Sequence, residues 1–390
     1  MELPNVNDPL YPHAQLLIPA STRRLNPIRT LFHNALNNIH QSYRPLLIAQ
    51  LLSLLLASSG AANASLNFEC NLSAPTIQVG LVYFVIMFYL FVFTHCFTEA
   101  NNNEPPEQIT TEMDQRHDHP HHSPRLLFNR IPIHAPLKFY ALMAFLDVEA
   151  NYLTNLSFRY TTLTSVSLLN ALAIPSAMLF SRTILKRVYK GMHCVGAIIC
   201  IIGIVVNVLG DYESNVNKEG DDNDSQGSVE DDTYPFKIRG DTLAIMGALL
   251  YGLNDTLTER LLKEYDVKEY LGVMGLFGSI ICFVQGALIE RHSMLDFFEM
   301  DEEVCNSQKR WMLLAASAIF GVLSYIGMAY FLVKSEAALL NLSLLTGVLW
   351  AALFSVVAEN IFPSSHFWIS LVSIGTGVFV YEMAPSPMLF

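Results

Sequence analysis

Charge is what this sequence has little of. Asp, Glu, Lys and Arg make up 15% of its 390 residues, where a soluble globular chain carries roughly a quarter. The shortage is uneven. Eight windows (45–68, 70–98, 160–181, 191–210, 270–289, 311–333, 337–358 and 360–381) hold no charged side chain and together cover almost half the chain. A bilayer core of about 30 Å needs roughly 20 apolar residues per helix, so each window is long enough to span. With 52% hydrophobic residues and a mean hydropathy of +0.34, the chain cannot be a soluble enzyme, a nucleic-acid binder or a disordered scaffold. It reads as a polytopic membrane protein with the lipid bilayer as a partner.

Other signals are missing as well. There is no basic stripe, so no nucleic acid is expected. The six cysteines form no CxxC pair and no metal-finger spacing, and no P-loop, GxSxG, HExxH or EF-hand pattern occurs. No catalytic residue, cofactor or resident metal is therefore expected. Cys96, Cys194, Cys200 and Cys282 lie in apolar windows, as small buried hydrophobes do. The first 44 residues are polar and contain no apolar run, so helix 1 is expected to act as an uncleaved insertion signal.

What charge there is has structure. The net charge is −12, and the segment Asp211–Asp232 holds nine acids and one Lys, a solvated acidic loop. Two further apolar segments carry acids: 137–158 with Asp147 and Glu149, and 241–262 with Asp255, Glu259 and Arg260. Both can span if those groups face protein or a watery cavity. Ten helices follow, at about 45–67, 76–98, 137–158, 160–185, 189–211, 241–262, 267–289, 310–333, 335–359 and 365–384. With the N-terminus cytoplasmic, 16 Lys and Arg fall on the cytoplasmic side and 7 on the other, a positive-inside bias that puts both termini in the cytoplasm. Of the three sequons on the external or lumenal side, Asn71 and Asn223 are accessible and Asn63 lies too near the membrane for modification. Cys70 and Cys305 share that oxidising side, where a disulfide between them can form.

The organisation expected is all-α. It comprises a tail (1–44), a first five-helix repeat (45–211) with a His-rich loop (99–136), an acidic disordered loop (212–240), a second five-helix repeat (241–384) and a short tail (385–390). Five helices per half means that related halves must be inverted. Ser165-Val-Ser-Leu-Leu-Asn-Ala171 in helix 4 matches Asn341-Leu-Ser-Leu-Leu-Thr-Gly347 in helix 9, the fourth helix of each half. Ser167 with Asn170, and Ser343 with Thr346, each share a helical face. Polar patches on related helices can form a solute site at the repeat interface, or simply glue helices together.

The acids are sharper. Asp147 and Asn151 share one face of helix 3, Glu149 and Tyr152 lie on others, and the two carboxylates are about 200° apart around the axis. One should line a pathway and the other pair elsewhere. In helix 6, Asp255 and Glu259 share a face, with Glu259 and Arg260 near its cytoplasmic end, where snorkelling is an ordinary fate. The candidate solute-binding set is Asp147, Glu149, Asn151, Tyr152, Ser167, Asn170, Asn254, Asp255, Tyr325, Asn341, Ser343 and Thr346. The glycines Gly272, Gly275, Gly278 and Gly286 suit close helix packing or bending.

Asp147-Val-Glu-Ala-Asn-Tyr-Leu153, Tyr160-Thr-Thr-Leu-Thr-Ser-Val166, Ile174-Pro175, Glu269-Tyr-Leu-Gly-Val-Met-Gly-Leu-Phe-Gly278 and Asn341-Leu-Ser-Leu-Leu-Thr346 resemble solute carrier family 35, subfamily F, over most of 45–384. The resemblance implies the drug/metabolite transporter fold, ten helices as two inverted repeats, and alternating access around a central cavity. Two places depart from the family: Asn170 stands where relatives often have an acid, and Leu257-Thr-Glu-Arg260 replaces a Trp followed by two acids, so that Glu259 alone carries over.

The expected function is secondary transport of a small polar organic solute, nucleoside- or nucleobase-like, with proton or counter-solute coupling, in the plasma membrane or an endomembrane. A nucleotide-sugar antiporter is the alternative, short of cationic partners because only Arg159, Lys334 and Arg260 lie near helix ends. A membrane-embedded enzyme lacks convergent catalytic residues. A metal-sensing receptor would rest on His117-Asp-His-Pro-His-His122 alone, a tract that also suits a low-complexity loop. The oligomeric state is left open.

Overall fold

The computed structural model describes residues 43–70, 72–95, 125–127, 131–220, 236–292, 295, 297, 305–334, 344–360 and 362–383. Pro45–Phe390 form one compact unit, apart from Met1–Arg44. Among the described residues the architecture is helical but for one small pair of strands. In chain order the elements are α1 (Tyr43–Cys70), α2 (Pro75–His95), β1 (Arg125–Leu127), β2 (Ile131–Ile133), α3 (Leu137–Ser157), α4 (Leu163–Ile184) and α5 (Gly191–Gly220). There follow α6 (Lys237–Glu264), α7 (Val267–Leu288), α8 (Ser307–Lys334), α9 (Thr346–Phe354, running on as a π turn Ser355–Glu359) and α10 (Ser365–Glu382).

Local chemistry sets several ends. Pro75 opens α2, where its missing N–H costs nothing. Thr162, Asp266 and Ser364 cap α4, α7 and α10 by accepting from Ser165 N, Lys268 N and Phe367 N. Asn360 ends the α9 π turn in the left-handed region at φ 55°, a conformation Asn tolerates. Among the described residues six helices (α1, α2, α4, α5, α7 and α8) are long and apolar enough to cross a membrane, and α9 and α10 are shorter apolar helices.

Three expectations need adjustment. The hairpin β1–β2, paired Arg125 to Ile133 and Leu127 to Ile131, is an addition to an all-α chain. Its short strands show no alternation long enough to read. Helix 5 does not stop at 211 before a disordered loop, since α5 continues to Gly220. Each further residue of an existing helix gains a hydrogen bond, and no Gly or Pro interrupts 212–219. Helix 6 likewise starts at Lys237. The His tract, Asn71, Asn223, Asn341 and Ser343 lie outside the described residues. Cys70 and Cys305 do form a disulfide, joining the end of α1 to the start of α8, with the Glu69–Lys309 ion pair beside it.

The most extensive pairings are α5 with α10, α3 with α6 and α2 with α7. They are followed by α4 with α6, α3 with α7 and α2 with α8. α1 packs on α8, where Ser59 Oγ donates to Ser317 O at 2.9 Å, and on α9, where Ser53 and Thr346 hydroxyls meet at 3.1 Å. α3 and α6, which carry Asp147, Glu149, Asp255 and Glu259 in apolar surroundings, thus face each other, as charge in an apolar medium favours. α2 and α7 approach closely through glycines. A Cβ at Gly275 would stand 2.3 Å from Met87 N, and one at Gly278 would stand 2.6 Å from the Tyr83 ring. Gly278 therefore gives Tyr83 room to reach inward.

Candidate functional site

A cavity of ≈ 410 Å³ lies among α1, α2, α3, α4, α6, α7, α8 and α9. α5 and α10 pair outside it and contribute no lining residue among those described. Its anchor is Asp147 on α3, buried at 4% exposure. One carboxylate oxygen, Oδ2, accepts from Tyr83 Oη of α2 at 2.7 Å and from Tyr325 Oη of α8. The other, Oδ1, accepts from Asn254 Nδ2 of α6 at 3.0 Å and, at a long 3.5 Å, from Asn151 Nδ2. Asn151 in turn donates to Tyr83 Oη at 3.2 Å and accepts from Tyr251 Oη at 2.8 Å. The Tyr83 and Tyr325 rings meet edge to face, centroids 6.0 Å apart. One buried carboxylate thus gathers donors from four helices, the arrangement that makes a buried anion tolerable.

Asp255, one residue after Asn254, is treated differently. It lines the same cavity and is exposed to it, and it forms no hydrogen bond or ion pair among the described residues. Glu259, one turn further, also lines the cavity but is held by Arg187 in a two-pronged pair, Nη1–Oε2 3.0 Å and Nη2–Oε1 2.6 Å, and by Lys263 at 2.6 Å. Arg187 belongs to the α4–α5 turn, so this pair ties that turn to α6. Arg260, by contrast, reaches Glu264 on the surface.

Several polar atoms around the cavity are buried without a partner: both amide atoms of Gln78, and the Oδ1 atoms of Asn63, Asn170 and Asn254. Three of these four side chains, Gln78, Asn63 and Asn254, are at most 8% exposed. Asn63 donates its amide to Asn155 at 2.8 Å, so its carbonyl is what remains. Buried polar groups ordinarily have a partner, protein or water, so these atoms can bond to whatever fills the cavity. The aromatic residues Tyr83, Phe158, Tyr251, Tyr270 and Tyr325 also line it.

Of the candidate residues, Asp147, Asn151, Ser167, Asn170, Asn254, Asp255 and Tyr325 meet around this cavity. Asn170 sits where α4 tightens into a 3₁₀ turn, Asn170–Leu172. Glu149 and Tyr152 do not join them. They occupy the other side of α3, Glu149 beside Gln285 of α7 and Tyr152 beside Glu290. Glu290 also accepts from Thr76 N at 3.0 Å and from Thr76 Oγ1. Thr346 is turned toward α1, donating to Gln50 Oε1 at 2.8 Å, and lines a separate side cleft with Trp350. Tyr83, Gln78 and Asn63 line the cavity and are absent from the candidate set, as is Arg187, which pairs with the lining residue Glu259. Tyr83 and Gln78 sit in an uncharged apolar run with no pattern to mark them. Tyr251 could have been found, being three and four residues from Asn254 and Asp255.

Two more acid clusters lie away from the cavity. Asp211 of α5 and Asp241 of α6 both lie by Ser165 Oγ, at 2.7 and 3.3 Å, with Asn207 and Thr161 supplying further donors. Glu269, fully buried at the start of α7, accepts from His134 N, His134 Nδ1, Ala135 N and Tyr140 Oη, all within 3.2 Å. Its hydrogen bond raises the pKa of the His134 ring above the usual imidazole value, against the opposing effect of burial.

A sequence model of the SLC35F family, described as solute carrier family 35, matches residues 131–383. Solute carrier family 35 member F2 of Mus musculus is 30% identical over 250 residues, 63% of this chain and 60% of its own length. The protein of the same name from Xenopus tropicalis is 30% identical over 245 residues, 62% of this chain and 58% of its own. The chain thus spans about 60% of the length of these curated relatives. A solved crystal structure of a protein superposes on 87% of this chain and 97% of its own, with TM-score 0.51 and 14% identity, a likeness of fold alone.

Proposed function

The chain belongs to solute carrier family 35, subfamily F, a family of membrane solute transporters rather than enzymes, and from that premise we propose that it carries a small polar organic solute, nucleoside- or nucleobase-like, by alternating access. The ten helices are taken as two inverted five-helix repeats, α1–α5 and α6–α10. Supporting this is the pairing pattern under exchange of each helix for the one five places along: α2–α7 and α5–α10 map onto themselves and α3–α7 maps onto α8–α2. The mates of α3–α6 and α4–α6 are α8–α1 and α9–α1, which meet through side-chain hydrogen bonds. Inverted repeats put the solute near the bilayer midplane at their interface. The solute-binding groups proposed there are Asp147, Asn151, Ser167, Asn170, Asn254, Asp255 and Tyr325. Both termini are taken as cytoplasmic from the distribution of Lys and Arg, in a plasma membrane or endomembrane, with a proton or a counter-solute as the coupling species.

One observation carries the choice of solute: no Lys or Arg is found among the described lining residues, whereas amide carbonyls are left over. A phosphate-bearing substrate asks for cationic or N–H donors. A nucleobase edge or ribose hydroxyl can instead donate to the spare carbonyls. The test is uptake into proteoliposomes of radiolabelled adenosine and guanine against radiolabelled nucleotide sugars. Saturable uptake of the first pair alone is the expected result. Uptake of nucleotide sugars alone would favour the antiporter, and no uptake of any would defeat both.

A further inference from the structure

Among the described residues three acids line the central cavity, and the protein has answered only two of them. Asp147 is surrounded by tyrosine and asparagine donors, and Glu259 is paired with Arg187 and Lys263. Asp255 stands between them in sequence and is open to the cavity, with no partner among the described residues. The other charges that line the cavity, Asp147 and Glu259, have its own sign.

A bare carboxylate there depends on whatever water the cavity holds. When a solute enters, that water is displaced and the charge must be met by whatever replaces it, because an unpaired ion out of water is expensive. A neutral solute would leave Asp255 uncompensated and an anion would add repulsion. A protonated nitrogen would restore the lost solvation. The walls suit the same charge. Tyr251 lies one turn before Asp255 on α6, and Tyr270 and Tyr325 also line the space; aromatic faces attract cations through their quadrupole.

We propose that the central cavity selects a solute bearing a positive charge, an organic cation with a protonated or quaternary nitrogen, and that Asp255 is its counter-ion. This rests on the cavity being the solute site of a transporter but not on the solute being a nucleoside. Asp147 is then a positioning residue that holds the aromatic walls in place. The spare carbonyls of Asn63, Gln78 and Asn254 take N–H or O–H groups on the rest of the solute.

The test uses two series that differ only in charge: 5′-amino-5′-deoxyadenosine, adenosine and adenosine 5′-monophosphate; and tryptamine, tryptophol and indole-3-acetate. Binding is read from thermal stabilisation of the purified full chain in detergent, and transport from proteoliposome uptake. In at least one series the amine should bind about tenfold or more tightly than the alcohol, and the anion least. Asp255→Asn should shrink the amine-over-alcohol ratio, whereas Asp255→Glu, which keeps the charge, should preserve it. The melting midpoints of both ligand-free variants control for misfolding.

Amine preference confined to the indole series would leave the proposal standing and count against nucleosides. Adenosine binding with no gain for its amine, and none for tryptamine over tryptophol, would do the reverse. Amine binding without uptake would defeat the transport reading while keeping the cation site. The proposal is overturned if the alcohol or the anion equals the amine in both series, if no compound binds, or if Asp255→Asn leaves the preference unchanged.

Discussion

Asp147 and Asp255 are both carboxylates on the wall of one cavity, on helices that face each other, yet they are opposite in kind. Asp147 is buried and accepts hydrogen bonds from side chains of α2, α6 and α8. Asp255 is open to the cavity and accepts none from the described residues. An acid whose charge is already answered by protein organises structure; one whose charge is left open is available to something that comes and goes. Residue type does not distinguish the two, whereas the inventory of donors does.

That contrast can be broken by substitution. Asp147→Ala should have the largest effect on folding. It removes the acceptor of two tyrosine hydroxyls and one amide, and a buried donor without a partner costs about 1–3 kcal/mol. A loss of roughly 3 kcal/mol or more follows, read as a large fall in the thermal midpoint of the purified protein. A midpoint near that of the parent would mean that the tyrosines do not depend on Asp147.

Arg187→Ala should come next. It strips the two-pronged partner from Glu259, leaving Lys263, and hydrogen bonds to charged groups are worth about 1.5–3 kcal/mol. Part of that is screened because both side chains keep some exposure, 15% and 18%. A smaller fall in midpoint is expected, and a Glu259→Gln, Arg187→Ala double variant should lose little beyond either single one. Strict additivity would show that the pair is not a unit.

Glu269 extends the comparison outside the apolar region, as a second acid saturated by protein donors. Its partner His134 has a raised pKa. The stabilisation it provides is therefore complete below the unfolded imidazole pKa and is lost as pH rises through the folded one. His134→Ala should lower the midpoint more at about pH 5.5 than at about pH 9. An equal deficit at both would remove the ionic part of the interaction.

Asp255→Asn should be the mildest for folding, within about 0.5 kcal/mol of the parent, because no protein donor loses its acceptor. A large destabilisation would place Asp255 in the same class as Asp147 and remove the contrast.

How much of this was legible depended on the kind of constraint. Helical angles alone separated Asp147 and Asn151 from Glu149 and Tyr152 on α3, and only the first pair meets the cavity. Which side would face the cavity was not legible, since either acid could serve. Thr346 shares with Asn170 its place in the matched heptapeptides of α9 and α4, yet it is taken up by Gln50 and Ser53 of α1. A repeated motif conveys register, but what neighbours a residue is decided by the helices packed on it. Tyr83 had no signal at all: a hydroxyl in an apolar run looks like any aromatic until Gly278 across the interface gives it room.

The sequence by itself determined the class of molecule. Windows without charge demand a membrane, the arrangement of Lys and Arg proposes an orientation, and acids inside apolar segments mark helices that must turn inward. These follow from one-dimensional spacing and the free energy of moving charge out of water. Only the tertiary structure decided which acid is answered and which is left open, that Cys70 meets Cys305, and that Arg187 rather than Arg260 takes Glu259. Those are matters of distance between residues far apart in the chain, and burial charges a polar group according to the partners it actually reaches.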